Sequence, residues 1–166
     1  MIYVSTGGVR DKPAISTSNI FAEQGINAIE LSGGIYDPGQ LEGLKSIKSC
    51  INFQEHNYFP PPSDPFVFNL ASLNSEVAKR SYQHVETALY WAIELDNPVY
   101  SFHAGFLLDP KVNELGQRIR NKKLFEREQA LSLFTERVNK LAERAGALGA
   151  KLLIENNVLS PQNFRE

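Results

Sequence analysis

The sequence predicts an α/β fold built on a parallel sheet, and three observations carry that expectation. Short β-type runs alternate with stretches of helical periodicity along the chain, the pattern of successive βα units joined by right-handed crossovers. The runs are short and are closed by turn residues, often glycine pairs. One run, Lys151-Leu152-Leu153-Ile154-Glu155-Asn156-Asn157, has the near-continuous apolar character of a strand buried on both faces. It delivers a carboxylate and two amides at its carboxyl end, where parallel α/β folds bind ligands.

The elements follow in order. Ile2 to Ser5 is the first strand, closed by Thr6-Gly7-Gly8. Ser16 to Gln24 is the first helix, with Ser16 or Ser18 as N-cap and Gly25 just past its end. Asn27 to Ser32 is the second strand, closed by Gly33-Gly34, and the short helix after it carries Leu41, Leu44 and Ile47. Ile51 to His56 is the third strand. The segment from Asn57 to Ser72 holds Pro60-Pro61-Pro62 and Pro65, which exclude helix and impose an extended path. Ser75 caps a long third helix whose buried stripe is Val77, Ser81, Val85, Ala88, Leu89 and Ala92, with Tyr90 and Trp91 as core aromatics.

Pro98 to His103 is the fourth strand, closed by Ala104-Gly105, and residues 106–123 form a polar connection. The fourth helix runs from about Leu124 to Ala147, with Leu131, Phe134, Val138, Leu141, Ala145 and Leu148 facing inward. Gly149 stops it before the fifth strand, and Ser160-Pro161 opens a further helix. Five strand-helix units in a chain of 166 residues leave two architectures open: a five-stranded open sheet, or the first five units of an eight-unit barrel.

Composition bounds the function. At 166 residues, 42% hydrophobic and 22% charged, the chain is a single globular domain spanning residues 1–166. A net charge of −2 removes any global electrostatic case for nucleic acid. One cysteine, Cys50, excludes an intrachain disulfide and suits a reducing compartment. No run is long and apolar enough to span a membrane, and no signal peptide opens the chain, so a soluble, cytoplasmic protein is expected.

His56, His103 and Glu155 stand at the carboxyl ends of the third, fourth and fifth strands. In a parallel sheet those ends share one side, so the three groups can converge. Two imidazoles and a carboxylate suit zinc, manganese or iron(II).

With these residues in view, the chain resembles the xylose isomerase-like (β/α)8 superfamily, specifically its sugar phosphate isomerase/epimerase and endonuclease IV-like group. The likeness runs along the whole chain. It is strongest at Glu55-His56-Asn57-Tyr58, Phe68-Asn69-Leu70-Ala71-Ser72, Phe102-His103-Ala104-Gly105 and Leu153-Ile154-Glu155-Asn156-Asn157. An insertion containing the prolines separates the first two motifs, a departure from the family pattern. The resemblance selects the barrel reading: a TIM-barrel type chain covering about the first five strands, an incomplete barrel cut short at its C-terminus. It implies a sugar or sugar phosphate as substrate and a divalent cofactor (manganese, zinc or magnesium). Glu155 is implied as both metal ligand and acid/base carboxylate. His56 and His103 are implied as ligands in the endonuclease branch and as substrate contacts in the epimerase branch. The expected reaction is proton transfer beside a carbonyl, with Asn156 and Asn157 orienting Glu155 or the sugar and Glu30 lining the pocket. Two rivals remain: an abasic-site DNA repair nuclease, which the acidic balance opposes, and a non-catalytic partial-barrel binding module. Exposed sheet edges would favour a homo-oligomer in the latter case.

Overall fold

The computed structural model describes residues 1–9, 11–115, 117–120 and 122–156. The expected Ser160-Pro161 helix start and Asn157 lie outside the described residues. Five parallel strands form one sheet: β1 (Val4–Ser5), β2 (Ala28–Leu31), β3 (Asn52–His56), β4 (Val99–His103) and β5 (Lys151–Glu155). Four α-helices among the described residues connect them: α1 (Ala14–Glu23), α2 (Gln40–Ile47), α3 (Ser75–Glu94) and α4 (Arg127–Ala147).

The spatial order of the strands is their sequence order, β1-β2-β3-β4-β5. That order decides between the two architectures. A doubly wound open sheet reverses direction at a switch point and places helices on both faces. Here every crossover steps to the adjacent strand, which puts the helices on one face, as in a barrel sector. The core lies between sheet and helices in two clusters. Ile29, Leu31 and Phe53 pack with Ala14, Leu44, Phe59 and Leu95. Tyr100 and Phe102 pack with Phe68, Val85, Leu89, Leu141 and Ala145. The opposite face carries the alternate residues and, among the described residues, has no helix upon it. Among the described residues β5 is an edge strand: Leu153 and Ile154, which point to opposite faces, are 47% and 48% exposed.

Local chemistry explains most boundaries. Asn74, not Ser75, caps α3, its side chain accepting from the N–H groups of Glu76 and Val77. Glu126 does the same for α4, on Glu128 and Gln129. α1 begins two residues before Ser16, after Pro13, with no side-chain cap, so Ser16 and Ser18 fall within the helix. Gly25 takes φ 79° after α1, the left-handed position expected of it. Between β3 and α3 there is no helix or strand, and the Phe59–Pro60 bond is cis. β1 is only two residues long, and Thr6–Gly8 forms a 3-10 turn.

Three side chains expected in the core are outside it. Tyr90 is 53% exposed, Leu131 57% and Leu148 50%. Tyr90 lies off the stripe Ser81, Val85, Ala88, Leu89 and Ala92 that α3 does bury. α4 packs on β5 and α3; Leu131 is an exposed position on it, and Leu148 follows its last residue, Ala147. No helix among the described residues is long and apolar enough to cross a membrane.

Candidate metal centre at the strand ends

Strand alternation and register bring the polar residues together. His56 is paired in register with Ser101, and His103 with Glu155. All four stand on the face opposite Phe53, Tyr100 and Phe102, so all point away from the helices. The His56 and His103 rings meet edge to face, centroids 5.0 Å apart at 86°. His56 Nδ1 lies 3.5 Å from Glu155 Oε1. One donor atom from each of His56, His103 and Glu155 can be chosen so that all lie within 4.8 Å of one another.

Neighbouring groups fix the rings. His103 Nδ1 lies 3.1 Å from the Asn156 carbonyl oxygen, which only accepts, so Nδ1 carries the proton and Nε2 keeps a free lone pair. His56 Nδ1 lies 2.8 Å from the hydroxyl of Ser101, a residue 1% exposed on β4. The Ala104 N–H donates to the Glu155 carbonyl at 2.9 Å and ties the ends of β4 and β5 together. His56 is nearly buried, whereas the Glu155 side chain is 48% exposed.

Of the residues the sequence singles out, His56, His103 and Glu155 are brought together, and Asn156 touches them through its main chain. Glu30 is not in the group. It is in register with Gln54, two residues before His56, so it stands about 7 Å lower on the same face. Sequence reasoning overlooked Ser101. Its signal was position: a hydroxyl two residues before His103, on the same face and beside the end of β3.

The family profile described as xylose isomerase-like TIM barrel matches residues 20–162. The chain belongs to that family. Solved structures agree in fold. A D-tagatose 3-epimerase-like protein superposes with TM-score 0.65 at 19% identity, over 91% of this chain and 53% of that one. A Thermus thermophilus protein soaked with zinc chloride gives 0.53 at 24%, over 87% and 52%. A family 2 AP endonuclease from Brucella melitensis gives 0.56 at 15%, over 92% and 52%. No curated protein matches this chain. The chain therefore spans about half the length of these structural relatives.

In barrel terms the trio stands at the carboxyl-terminal mouth, where this fold does its chemistry. Its donors fit a divalent cation. Donors sharing one ion at bonds of about 2.1 Å lie no more than about 4.2 Å apart. Glu155, half exposed, is the side chain with room to close the remaining gap. Three protein ligands also leave a coordination position for substrate oxygen. Among the described residues no other three His, Cys, Asp or Glu side chains form such a group.

A second network holds the mouth from outside. Asn69, fully buried, receives the N–H groups of Ala71 and Phe106 on its Oδ1, at 3.1 and 3.0 Å. Its amide nitrogen donates to the carbonyls of Phe106 and Leu108 and to Asp109 Oδ1. Ser72 donates to the other Asp109 oxygen at 2.7 Å. Gly105 is required here, because a Cβ would stand 2.4 Å from Asn69 Oδ1. The loop leaving His103 is thus pinned to the loop entering α3. The Asn69-Leu70-Ala71 motif was visible in the sequence, but its partners were not.

Proposed function

We propose that this chain is the metal-binding part of a divalent-metal-dependent sugar or sugar phosphate isomerase or epimerase, acting by proton transfer beside a carbonyl. The observation that carries the reading is the convergence of His56, His103 and Glu155, with donor atoms mutually within 4.8 Å at the ends of three adjacent strands. His56, His103 and Glu155 would hold the ion. When bound, the ion supplies charge that polarises the sugar carbonyl and acidifies the neighbouring C–H. Glu155 would accept the proton from that carbon and return it to the adjacent carbon on the same face, whereas epimerisation takes its proton from a second acid on the opposite face. Its carboxylate is exposed enough to meet a substrate. Asn156 and Ser101 keep the imidazoles turned for the task. The substrate class draws support from the fold relatives, which include a protein titled L-ribulose 3-epimerase and another titled D-psicose 3-epimerase.

The test has two arms. Calorimetric titration with manganese or zinc is expected to show one site per chain, lost in His103→Ala. With metal present, D-tagatose in heavy water is expected to gain deuterium at the carbon beside its carbonyl, and Glu155→Gln to stop that exchange. Absence of a metal site removes the whole reading. A metal site without deuterium exchange leaves the centre and removes the sugar chemistry.

One observation favours a second reading: both histidines join the acid, the arrangement that the resemblance to the endonuclease branch implies for zinc. An abasic-site nuclease needs phosphate contacts, and its binding to abasic duplex would fall steeply with salt. The net charge of −2 weighs against it.

A further inference from the structure

β5 carries a cation at its start, an anion at its end and three apolar residues between: Lys151, Leu152, Leu153, Ile154 and Glu155. Among the described residues no strand lies beyond it. Leu153 and Ile154 are half-exposed on opposite faces, and Lys151 and Glu155 are exposed as well. Edge strands of natural proteins carry devices against pairing with their own kind, such as a proline, a bulge or a charge that repels its copy. β5 has no proline, and its two charges are opposite in sign.

Main-chain direction decides what this edge offers. The Lys151 N–H donates to the Pro98 carbonyl at 2.8 Å, and the Glu155 carbonyl accepts from the Ala104 N–H at 2.9 Å. Residues 151, 153 and 155 therefore turn their main-chain groups to β4, and by alternation Leu152 and Ile154 point theirs outward. These outward groups fit a second β5 running the opposite way. With a two-fold axis at Leu153, Leu152 stands opposite Ile154 of the second copy and exchanges both main-chain bonds with it, and Ile154 does the same with Leu152. Leu153 then meets its own counterpart, and Lys151 meets Glu155 of the second copy. Both are non-hydrogen-bonded positions, where facing side chains come closest. Hydrogen bonds, apolar contacts and charges thus select one register. Parallel pairing residue for residue would instead set lysine against lysine and glutamate against glutamate.

We propose that β5 is a self-pairing edge: two copies of the chain join antiparallel through it, with the two-fold axis at Leu153 and Lys151 of each copy against Glu155 of the other. The two five-stranded sheets then run on as one. Glu155 is also the acid of the histidine-glutamate trio, so each trio gains a lysine from the other copy at its rim. The pairing itself needs no metal and does not rest on the isomerase reading.

Sedimentation velocity tests the pairing on the full chain, with a chelator present so that no metal competes for Glu155. A reversible monomer–dimer equilibrium is expected between micromolar and millimolar chain, and amide exchange at Leu152 and Ile154 is expected to slow as the concentration rises. Leu153→Lys sets like charges together on the axis and is expected to leave a monomer whose circular dichroism is unchanged. Lys151→Glu, at an exposed position, turns both symmetry-related ion pairs into repulsions and is expected to weaken the dimer about tenfold or more. Adding Glu155→Lys to that variant exchanges the two charges and is expected to restore the dimer. Three results would overturn the assignment: a monomer at every concentration, a dimer that Leu153→Lys leaves intact, or a double variant as dissociated as Lys151→Glu alone.

Discussion

Glu55 offers the sharpest test of the fold's energetics. It is a β3 residue on the helix-facing side, in register with Leu31 and Tyr100. It is 1% exposed, and neither carboxylate oxygen has a hydrogen-bond partner among the described residues. Burial pushes its carboxyl well above the ordinary value of 4.5. The same burial, with Glu55 as a lesser cause, raises the Tyr100 hydroxyl. Below that ordinary value both folded and unfolded chains carry the proton, and the group has no effect on pH dependence. Above it the unfolded chain ionises while the folded one stays protonated, so stability falls as pH rises towards the raised folded pKa. While only the unfolded chain is ionised, the slope approaches about 1.4 kcal/mol per pH unit. Glu55→Gln removes this proton exchange and keeps the shape. In urea unfolding of the metal-free chain from about pH 5 to about pH 8, the variant is expected to gain on the wild type progressively as pH rises above the ordinary carboxyl value. A difference between the two that stays constant over that range would refute the buried neutral carboxyl.

Three further outcomes are expected. Ser101→Ala should weaken zinc or manganese binding by about 10–100-fold by freeing the His56 ring, while His103→Ala should remove it; calorimetry measures both. Asn69→Ala strands at least the Ala71 and Phe106 N–H groups in the interior, so urea unfolding should show a loss of about 3 kcal/mol or more. Leu131→Lys should change thermal stability by no more than about 0.5 kcal/mol, whereas Leu141→Ala, at a fully buried position on the same helix, should cost about 2–5 kcal/mol.

The parts of the structure legible in the sequence are those set by local pattern. The five strands carry their own signature, so β3, β4 and β5 differ from expectation by at most one residue, and the three strand-end groups could be aligned before any coordinates. The expected serine caps missed because Pro13 and Asn74 supply the helix starts from just upstream. Leu131 and Leu148 failed because periodicity assigns a residue to a face but not whether that face has a neighbour. Glu55 was illegible for a different reason. Nothing adjacent in sequence says that a carboxyl will be shut among apolar side chains. That fact comes from which helix lands on which strand.

Because each strand pairs only with the units immediately before and after it, the sheet resembles a row of shingles rather than a closed ring. Among the described residues the middle of that row, β3 and β4 with α3 behind them, is held from both sides, while β1 and β5 are each held from one. Opening of such an array begins at its margins. Amide hydrogen exchange should therefore be slowest at Phe53 and Tyr100 and should quicken outward. Glu155, the exposed acid of the trio, sits on the strand that loosens first, so metal uptake and the closing of that margin should go together.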